Sequence, residues 1–590
     1  MKRQIATLLI IARLMIPAAN AQMIIPYDTV LQNTSFSPLA SLFYQRVLVP
    51  LKPTTEPSDV VLNARPEDVA ITTTYMDFNG RPIQTVAKQA SPKMMDVVVP
   101  IVYDKFGRRS AAYLPYVQHT NNMDDGKYKD SMLLRDSLFY HNLFPEEAYN
   151  YSRTFFDASP LQRILKTTAP GKNWAGQIKG RSAQQWANTK FDSVYYWTID
   201  INSEDDTPAT ENFYRDGTLM AAQVTDEDGK KQLVYKDEYG HTILTRIQVD
   251  ATTYPGHTGW LSTYYVYDEV GNLRFVIPPK AVEELIIAHW NLATNPNIIT
   301  GLCYSYFYDE KGRVIAKSIP GQGKSYIAYD LYGRVVMAQD AKLRLDNKWT
   351  FVKYDVFNRP LKTGIITTSL NKDSIISQAS VSTNYPNLST AYELLSETYY
   401  DEYRWADATE LTAILDSAHI NSENFNTNIN NGPEYAQPIT VTRRIRGVAT
   451  GAKVRVLGTN DFLYSLSLYD DFGRPVQVKS TNITHGIEVS TMQYSFSGKL
   501  LASHLFQSTG GANAQQHTLS STYSYDHAGR LHQINKKIDS NDRITIATME
   551  YNELGQMVKK IIEPGFEGSG LETQNFEYNI RGWLLGMNRL

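Results

Sequence analysis

Apolar and polar residues alternate along the chain in short runs, the pattern of a β-strand with one face buried. Tyr304-Ser305-Tyr306-Phe307-Tyr308 and Val314-Ile315-Ala316-Lys317 are two such runs, and Asp309-Glu310-Lys311-Gly312-Arg313 stands between them. A strand, a tight turn and a second strand predict a β-hairpin. The same unit recurs along most of the chain: an aromatic-alternating run, then Tyr-Asp-x-x-Gly-Arg, then an apolar run. Repetition of this kind governs the architecture.

Clear copies are Tyr103-Asp104-Lys105-Phe106-Gly107-Arg108, the unit at Tyr308-Asp309 through Gly312-Arg313, and Tyr329-Asp330-Leu331-Tyr332-Gly333-Arg334. Tyr469-Asp470-Asp471-Phe472-Gly473-Arg474 and Tyr525-Asp526-His527-Ala528-Gly529-Arg530 complete the set. Variants with one or two changes are Asp77-Phe78-Asn79-Gly80-Arg81, Asp237-Glu238-Tyr239-Gly240-His241 and Tyr267-Asp268-Glu269-Val270-Gly271-Asn272. Others are Tyr354-Asp355-Val356-Phe357-Asn358-Arg359, Tyr494-Ser495-Phe496-Ser497-Gly498-Lys499, Tyr551-Asn552-Glu553-Leu554-Gly555-Gln556 and Tyr578-Asn579-Ile580-Arg581-Gly582-Trp583.

The residue types follow from turn geometry. Asp at the first position can accept from amides two and three residues on. Gly three residues later supplies the positive φ of a three-residue hairpin with a bulge. Asn358 fits that position, because Asn tolerates the left-handed region. Asn552 and Asn579 keep the acceptor oxygen of the Asp they replace. Tyr before the turn and Arg after it are expected to meet across the hairpin by stacking.

Gly312 and Gly333 are 21 residues apart, Gly473 and Gly498 25, Gly529 and Gly555 26, and Gly555 and Gly582 27. That spacing suits hairpins joined by short return loops. Their lateral pairing predicts a mainly β fold: one long antiparallel sheet that must curl or close to hide its edges. The pattern lapses at 126–187 and at 369–444, where insertions are expected. Pro279 to Trp290 reads as a short helix with proline near its start, and Ala406 to His419 as an amphipathic helix. The expected division is a signal segment over 1–21 and an N-terminal β domain over 22–125. An irregular insertion follows over 126–200, repeats over 201–365, an insertion with a helix over 366–445, and repeats over 446–590.

Composition agrees with this reading. Of 590 residues 39 are Tyr, against 21 Phe, with 34 Gly and 26 Pro for turns. The net charge of −3 offers no basic excess for phosphates, so nucleic acid is not an expected partner. The single cysteine, Cys303, excludes an intrachain disulfide and a multi-cysteine metal site, and its apolar setting predicts a buried, inert thiol. Met1-Lys2-Arg3, an apolar stretch from Ile5 to Ala18 interrupted by Arg13, and Ala19-Asn20-Ala21 predict an export signal cleaved before Gln22. No later run is long enough to span a bilayer, so export without a transmembrane anchor is expected.

Tyr-Asp-x-x-Gly-Arg hairpins at this period resemble those of Rhs/YD-repeat proteins, the family of bacterial polymorphic toxins and animal teneurins. Thr263-Tyr264-Tyr265-Val266-Tyr267-Asp268, Arg274-Phe275-Val276-Ile277-Pro278-Pro279, Leu302-Cys303-Tyr304 through Gln339-Asp340, and Tyr578-Asn579-Ile580-Arg581-Gly582-Trp583-Leu584 are similar to the exported members from Bacteroidota. Residues from about Tyr44 to Pro115 resemble the domain that precedes the repeats there. The resemblance implies a hollow β shell that encloses a C-terminal toxin or seals a cavity. Members of the family continue into a self-cleaving core and a toxin domain. The sequence ends after Arg581-Gly582-Trp583, so it is expected to be C-terminally truncated relative to them.

Motifs for catalysis do not assemble. Gly321-Gln322-Gly323-Lys324-Ser325 lacks the first glycine of a phosphate loop, having Ser318 there. Asp226-Glu227-Asp228-Gly229 lacks the ligand spacing of a calcium loop and reads as a turn. Tyr196-Trp197-Thr198-Ile199-Asp200 resembles a propeller-blade signature but occurs once. The turn position explains the many Asp residues, so no enzyme activity, cofactor or metal is expected. The expected function is a non-enzymatic exported scaffold enclosing or displaying a cargo polypeptide. The alternatives are a cell-surface adhesin binding glycan or protein, and glycan hydrolysis by a carboxylate pair.

Overall fold

The computed structural model describes residues 42–589 apart from 55, 57–58, 118–124, 200–206, 250–258, 291–296, 390 and 569. The export signal expected over 1–21 lies outside them. The fold is 44% strand and 11% helix, dominated by one antiparallel sheet of 27 strands that is not closed. The strip runs through Ala111–Tyr113, Tyr151–Phe156, Ile164–Thr168 and Gly180–Ala187. It crosses to Met220–Thr225 and then follows chain order to Leu584–Met587.

Each Tyr-Asp hairpin carries a one-residue bulge just inside its turn, between Phe307 and Tyr308, Ala328 and Tyr329, Leu468 and Tyr469, and Tyr578 and Glu577 among others. Bulges increase local right-handed twist, so a repeated bulge bends the whole strip. Since successive strands alternate in direction, the Tyr-Asp turns lie on one rim and the return loops on the other. The turn at Asp157–Arg163 lies on the turn rim, and the loop after Ile164–Thr168 lies on the return rim. Yet Ile580, on the last turn, packs beside Gly171 of that loop. Arg581 is clamped between Trp174 of the same loop, 4.4 Å away, and Trp583, 3.9 Å away. The strip therefore winds like a lock washer, its last turns resting on the return rim of its first strands.

The two faces of the strip differ. One carries the tyrosines of the turns. The other is covered by segments inserted between strands. Helix Pro279–Ile287, with proline in its first turn, buries Ala281, Val282 and Leu285 against Tyr264, Val266, Phe275 and Ile277. Cys303 lies in the same core, its thiol pushed up to about 12 by burial. Helix Lys372–Ser380, capped by Asn371, sets Ile375 and Ala379 on Ala328, Met337, Trp349 and Phe351.

The N-terminal region is a separate sheet of Phe43–Pro50, Val69–Met76, Pro82–Ala87, Val97–Pro100 and Tyr116–Val117. Helix Met132–Leu143 packs on it through Phe139 and Tyr140, against Tyr75, Val86, Val98 and Tyr116. Asp136 of this helix is buried with Asn150 as donor, and burial pushes its carboxyl up to about 8.

Two sequence expectations are corrected. Residues 126–200 are not irregular: they hold this helix and three strands of the long sheet. Their turn escapes the repeat pattern because it is two residues longer, although Asp157 still receives Arg163 Nε at 2.8 Å. Ala406 to His419 is not an α-helix. Only Arg404–Ala408 forms a short 3₁₀ turn, and the chain then runs extended. Leu411, Ala413 and Leu415 alternate onto the sheet core, a period of two. The carbonyls of Thr412 and Ile414 are taken by Lys479 instead of by helical amides.

Candidate functional site

The turn rim is built from one local design. In the hairpin at Asp309, the Asp309 amide donates to Arg313 O and the Gly312 amide to Asp309 O, at 3.0 and 2.9 Å. Asp309 Oδ1 accepts from the amides of Lys311 and Arg313, and Oδ2 from Arg313 Nε at 2.7 Å. The carboxylate thus caps amides two and four residues on, where two and three were expected. Gly312 has φ +73°. Asp77, Asp104, Asp355, Asp470 and Asp526 repeat the bonds with Arg81, Arg108, Arg359, Arg474 and Arg530. Asp330 bonds Arg334 in the same way. Asn358 takes the glycine role at φ +65°, with Gly80, Gly107, Gly240, Gly271, Gly333, Gly473, Gly498, Gly529, Gly555 and Gly582 also positive. His241, Asn272 and Gln556 stand for Arg beside Asp237, Asp268 and Asn552. Asn579 Oδ1 caps Arg581 and Trp583.

Tyr and Arg do not meet across one hairpin; they join neighbouring ones. Arg313 lies over Tyr329, Arg334 over Tyr354 and Arg474 over Tyr494, at 4.7, 4.7 and 4.8 Å. His241 stacks on Tyr267 at 4.6 Å, and Arg81 lies over Tyr103. Along the strip the Tyr hydroxyl then donates to the carbonyl that follows the arginine position of the turn before. Tyr308 donates to Leu273 O, Tyr329 to Val314 O and Tyr525 to Leu500 O. Tyr469, Tyr551 and Tyr578 do likewise. Side-by-side hairpins leave the residues flanking one turn closer to the next turn's flank, which is why the cross-hairpin expectation fails. The rim is a ladder of alternating carboxylate, guanidinium and phenol.

The rim has a covered arc and an open arc. On the covered arc, Arg530 Nη1 donates to Ala90 O, His527 Nε2 lies 2.9 Å from Gln89 O, and Lys93 pairs with Glu553 at 2.8 Å. Leu554 and Ile580 enter the core of the N-terminal sheet. On the open arc the equivalent tip residues Tyr239, Tyr332, Phe357 and Phe472 are exposed.

One turn is broken open. Strand Tyr392–Tyr400 pairs with Ala449–Arg455, Tyr400 donates to Pro360 O and the Asp401 amide to Val448 O. These are the closing bonds of a Tyr-Asp turn, but residues 402–446 intervene as a belt. It crosses the strands Pro475–Thr481, Ile487–Tyr494, Leu500–Ser508 and Gln516–Tyr525. Gln477 bonds both the amide and the carbonyl of Asp416, each at 2.8 Å, and Gln493 does the same to Asn426. Lys479, lowered by burial, is held by Thr412 and Ile414 oxygens without a carboxylate. Sequence reasoning missed Asp401, Gln477, Lys479, Gln493 and His504. The Tyr400-Asp401 dipeptide was the available signal, followed only 46 residues later by Gly447.

Among the described residues no cluster of three or more His, Cys, Asp or Glu could hold a metal ion, and no helix is long and apolar enough to cross a membrane. A model described as a domain of unknown function (DUF6443) matches residues 46–187, which hold the N-terminal sheet and the first strands of the strip. No curated protein matches the chain. Among solved structures it is similar to TcdB2–TccC3 without the hypervariable C-terminal region, at 13% identity and TM-score 0.42. It is similar also to the Tc holotoxin pore of Photorhabdus luminescens, at 13% identity and TM-score 0.40. Each match covers 92% of this chain, which spans 24% of the length of the other.

Proposed function

We propose that the chain is an exported, non-enzymatic β shell of the Rhs/YD-repeat type whose work is to enclose or display a cargo polypeptide. The observation that supports it is the lock-washer winding of one strip, with Arg581 between Trp174 and Trp583 at the joint. A strip wound so that its last turns rest on its first strands makes a wall, with neighbouring strands joined by ladder hydrogen bonds and neighbouring turns bridged by Tyr and Arg. The turn carboxylates accept capping bonds from amides and arginines, which occupies the lone pairs a general base would use.

The test is protection. A flexible reporter peptide bearing a protease site is fused after Leu590 and digested under native conditions. Cleavage much slower than in the free reporter supports enclosure. Cleavage at the free rate overturns it.

The exposed tips Tyr239, Tyr332, Phe357 and Phe472 favour a second reading, an adhesin whose open rim stacks on glycan or protein. Micromolar binding on a glycan array, lost on replacing Tyr332 and Phe357 by Ser, would support it.

A further inference from the structure

His504 lies beneath the belt, 3% exposed, on a face lined with polar side chains. Its neighbours across the strands are Thr491 and Ser520. From the belt, His419 stacks on it at 4.8 Å and on Phe506 at 5.2 Å, while Phe425 meets it edge-on. The hydrogen bonds determine its tautomer. Ser520 Oγ donates its one proton to Asn424 Oδ1 at 2.7 Å, so it can only accept from His504 Nδ1 at 2.8 Å. Nδ1 therefore carries the hydrogen and Nε2 is a bare lone pair, buried without a partner.

From this arrangement we infer that His504 is an acid latch: neutral, it clamps the belt to the sheet, and protonated at Nε2 it drives the belt off. A proton there buries a cation with no acceptor, stacked against the imidazole of His419. Burial is the main cause, and His419 the second, that holds His504 down to about 4. Of the side chains seen to bond or stack on His504, namely Ser520, His419 and Phe425, His419 is the titratable one. The charged groups near this stretch are Glu423, paired with Lys537 and bonded through its carbonyl by Arg543, further along the belt Asp416 and Glu434, and from the sheet Lys479. A group lowered on folding binds its proton more tightly once released, so acidification favours the open belt.

The test is hydrogen exchange of residues 409–437, expressed as protection factors against the sheet strands, between about pH 7 and pH 3.5. The expected loss of belt protection is on the order of a hundred-fold, with the strands unchanged. His504→Asn keeps a donor toward Ser520 but cannot charge, and should hold its protection at low pH. His419→Phe keeps a stacked ring and removes the repelling imidazole, so protonated His504 is better tolerated beneath the belt and the acid loss of belt protection should be smaller than in wild type. Acid release that persists in His504→Asn would assign the effect to Glu423 or Asp416 and overturn the inference. So would belt protection independent of pH in the wild type, or an acid loss undiminished in His419→Phe should His504→Asn fail to fold.

Discussion

The hairpins at Asp309 and at Asp401 end in the same closing bonds but reach them differently. In the first, Arg313 stands four residues after Asp309 and neutralises it within the turn. In the second, the belt displaces that position. Asp401 instead takes both Nη atoms of Arg359 from the preceding turn, and the Gly447 amide from the far end of the belt. Arg359 keeps its own Asp355 as well and lies 4.2 Å from the Tyr400 ring. The local design is thus sufficient for a turn but not required for one: a lateral neighbour can supply the cation when the chain between is long. What the broken turn loses is autonomy, since its closure depends on two other parts of the molecule.

The comparison can be broken most severely where the belt leaves the sheet. A Cβ on Gly451 would come within 2.1 Å of the Trp405 ring and 2.3 Å of Ser465 O. Trp405 stacks on Tyr399 at 4.3 Å. Gly451→Ala should expel the indole and cost about 3 kcal/mol in chemical denaturation. Gly312→Val strains one autonomous turn at positive φ, where a Cβ would meet nothing nearer than Asn272 Oδ1 at 3.9 Å, and should cost about 2 kcal/mol. An unchanged unfolding midpoint in that variant would contradict the turn assignment. Next, Arg359→Ala should cost about 1 kcal/mol more than Arg313→Ala, because it takes the guanidinium from two carboxylates instead of one. Equal losses would mean that Asp401 does not depend on its neighbour.

The smallest effect is a pH slope. Arg359 is the main cause that holds Asp401 below the usual carboxylate range. Burial pushes Asp309 and Asp355 up, but arginine and amide bonds outweigh it and leave them lowered too. A lowered carboxylate adds stability above its unfolded value near 4 and loses it as pH falls through the folded one. Thermal midpoints should therefore drop on acidification below about pH 4, and Asp401→Asn should flatten that slope slightly.

Much of the strip was readable because its code is short. Asp, Gly and Arg within five positions satisfy one another, so Asp309, Gly312 and Arg313 announce their turn without knowledge of anything else. Asn358 and Asn552 are readable for the same reason, each keeping the one property its position needs. The tyrosines were placed correctly and paired wrongly, since Tyr329 answers to Arg313 of another hairpin. Within the belt, Ala406 to His419 reads as a helix because Ala and Leu favour one in isolation. The sheet beneath offered Gln477 and Lys479 to its backbone, and tertiary bonds outweighed propensity.

The amino-acid sequence by itself determined the turns, the strands between them and their antiparallel succession, because those interactions span a few residues and carry their own partners. Only the tertiary structure decided which rim the last turns rest on, which arginine serves Asp401 and what lies on His504. Those contacts join residues far apart in the chain, and they exist only after repeated bulges have wound the strip back upon its beginning.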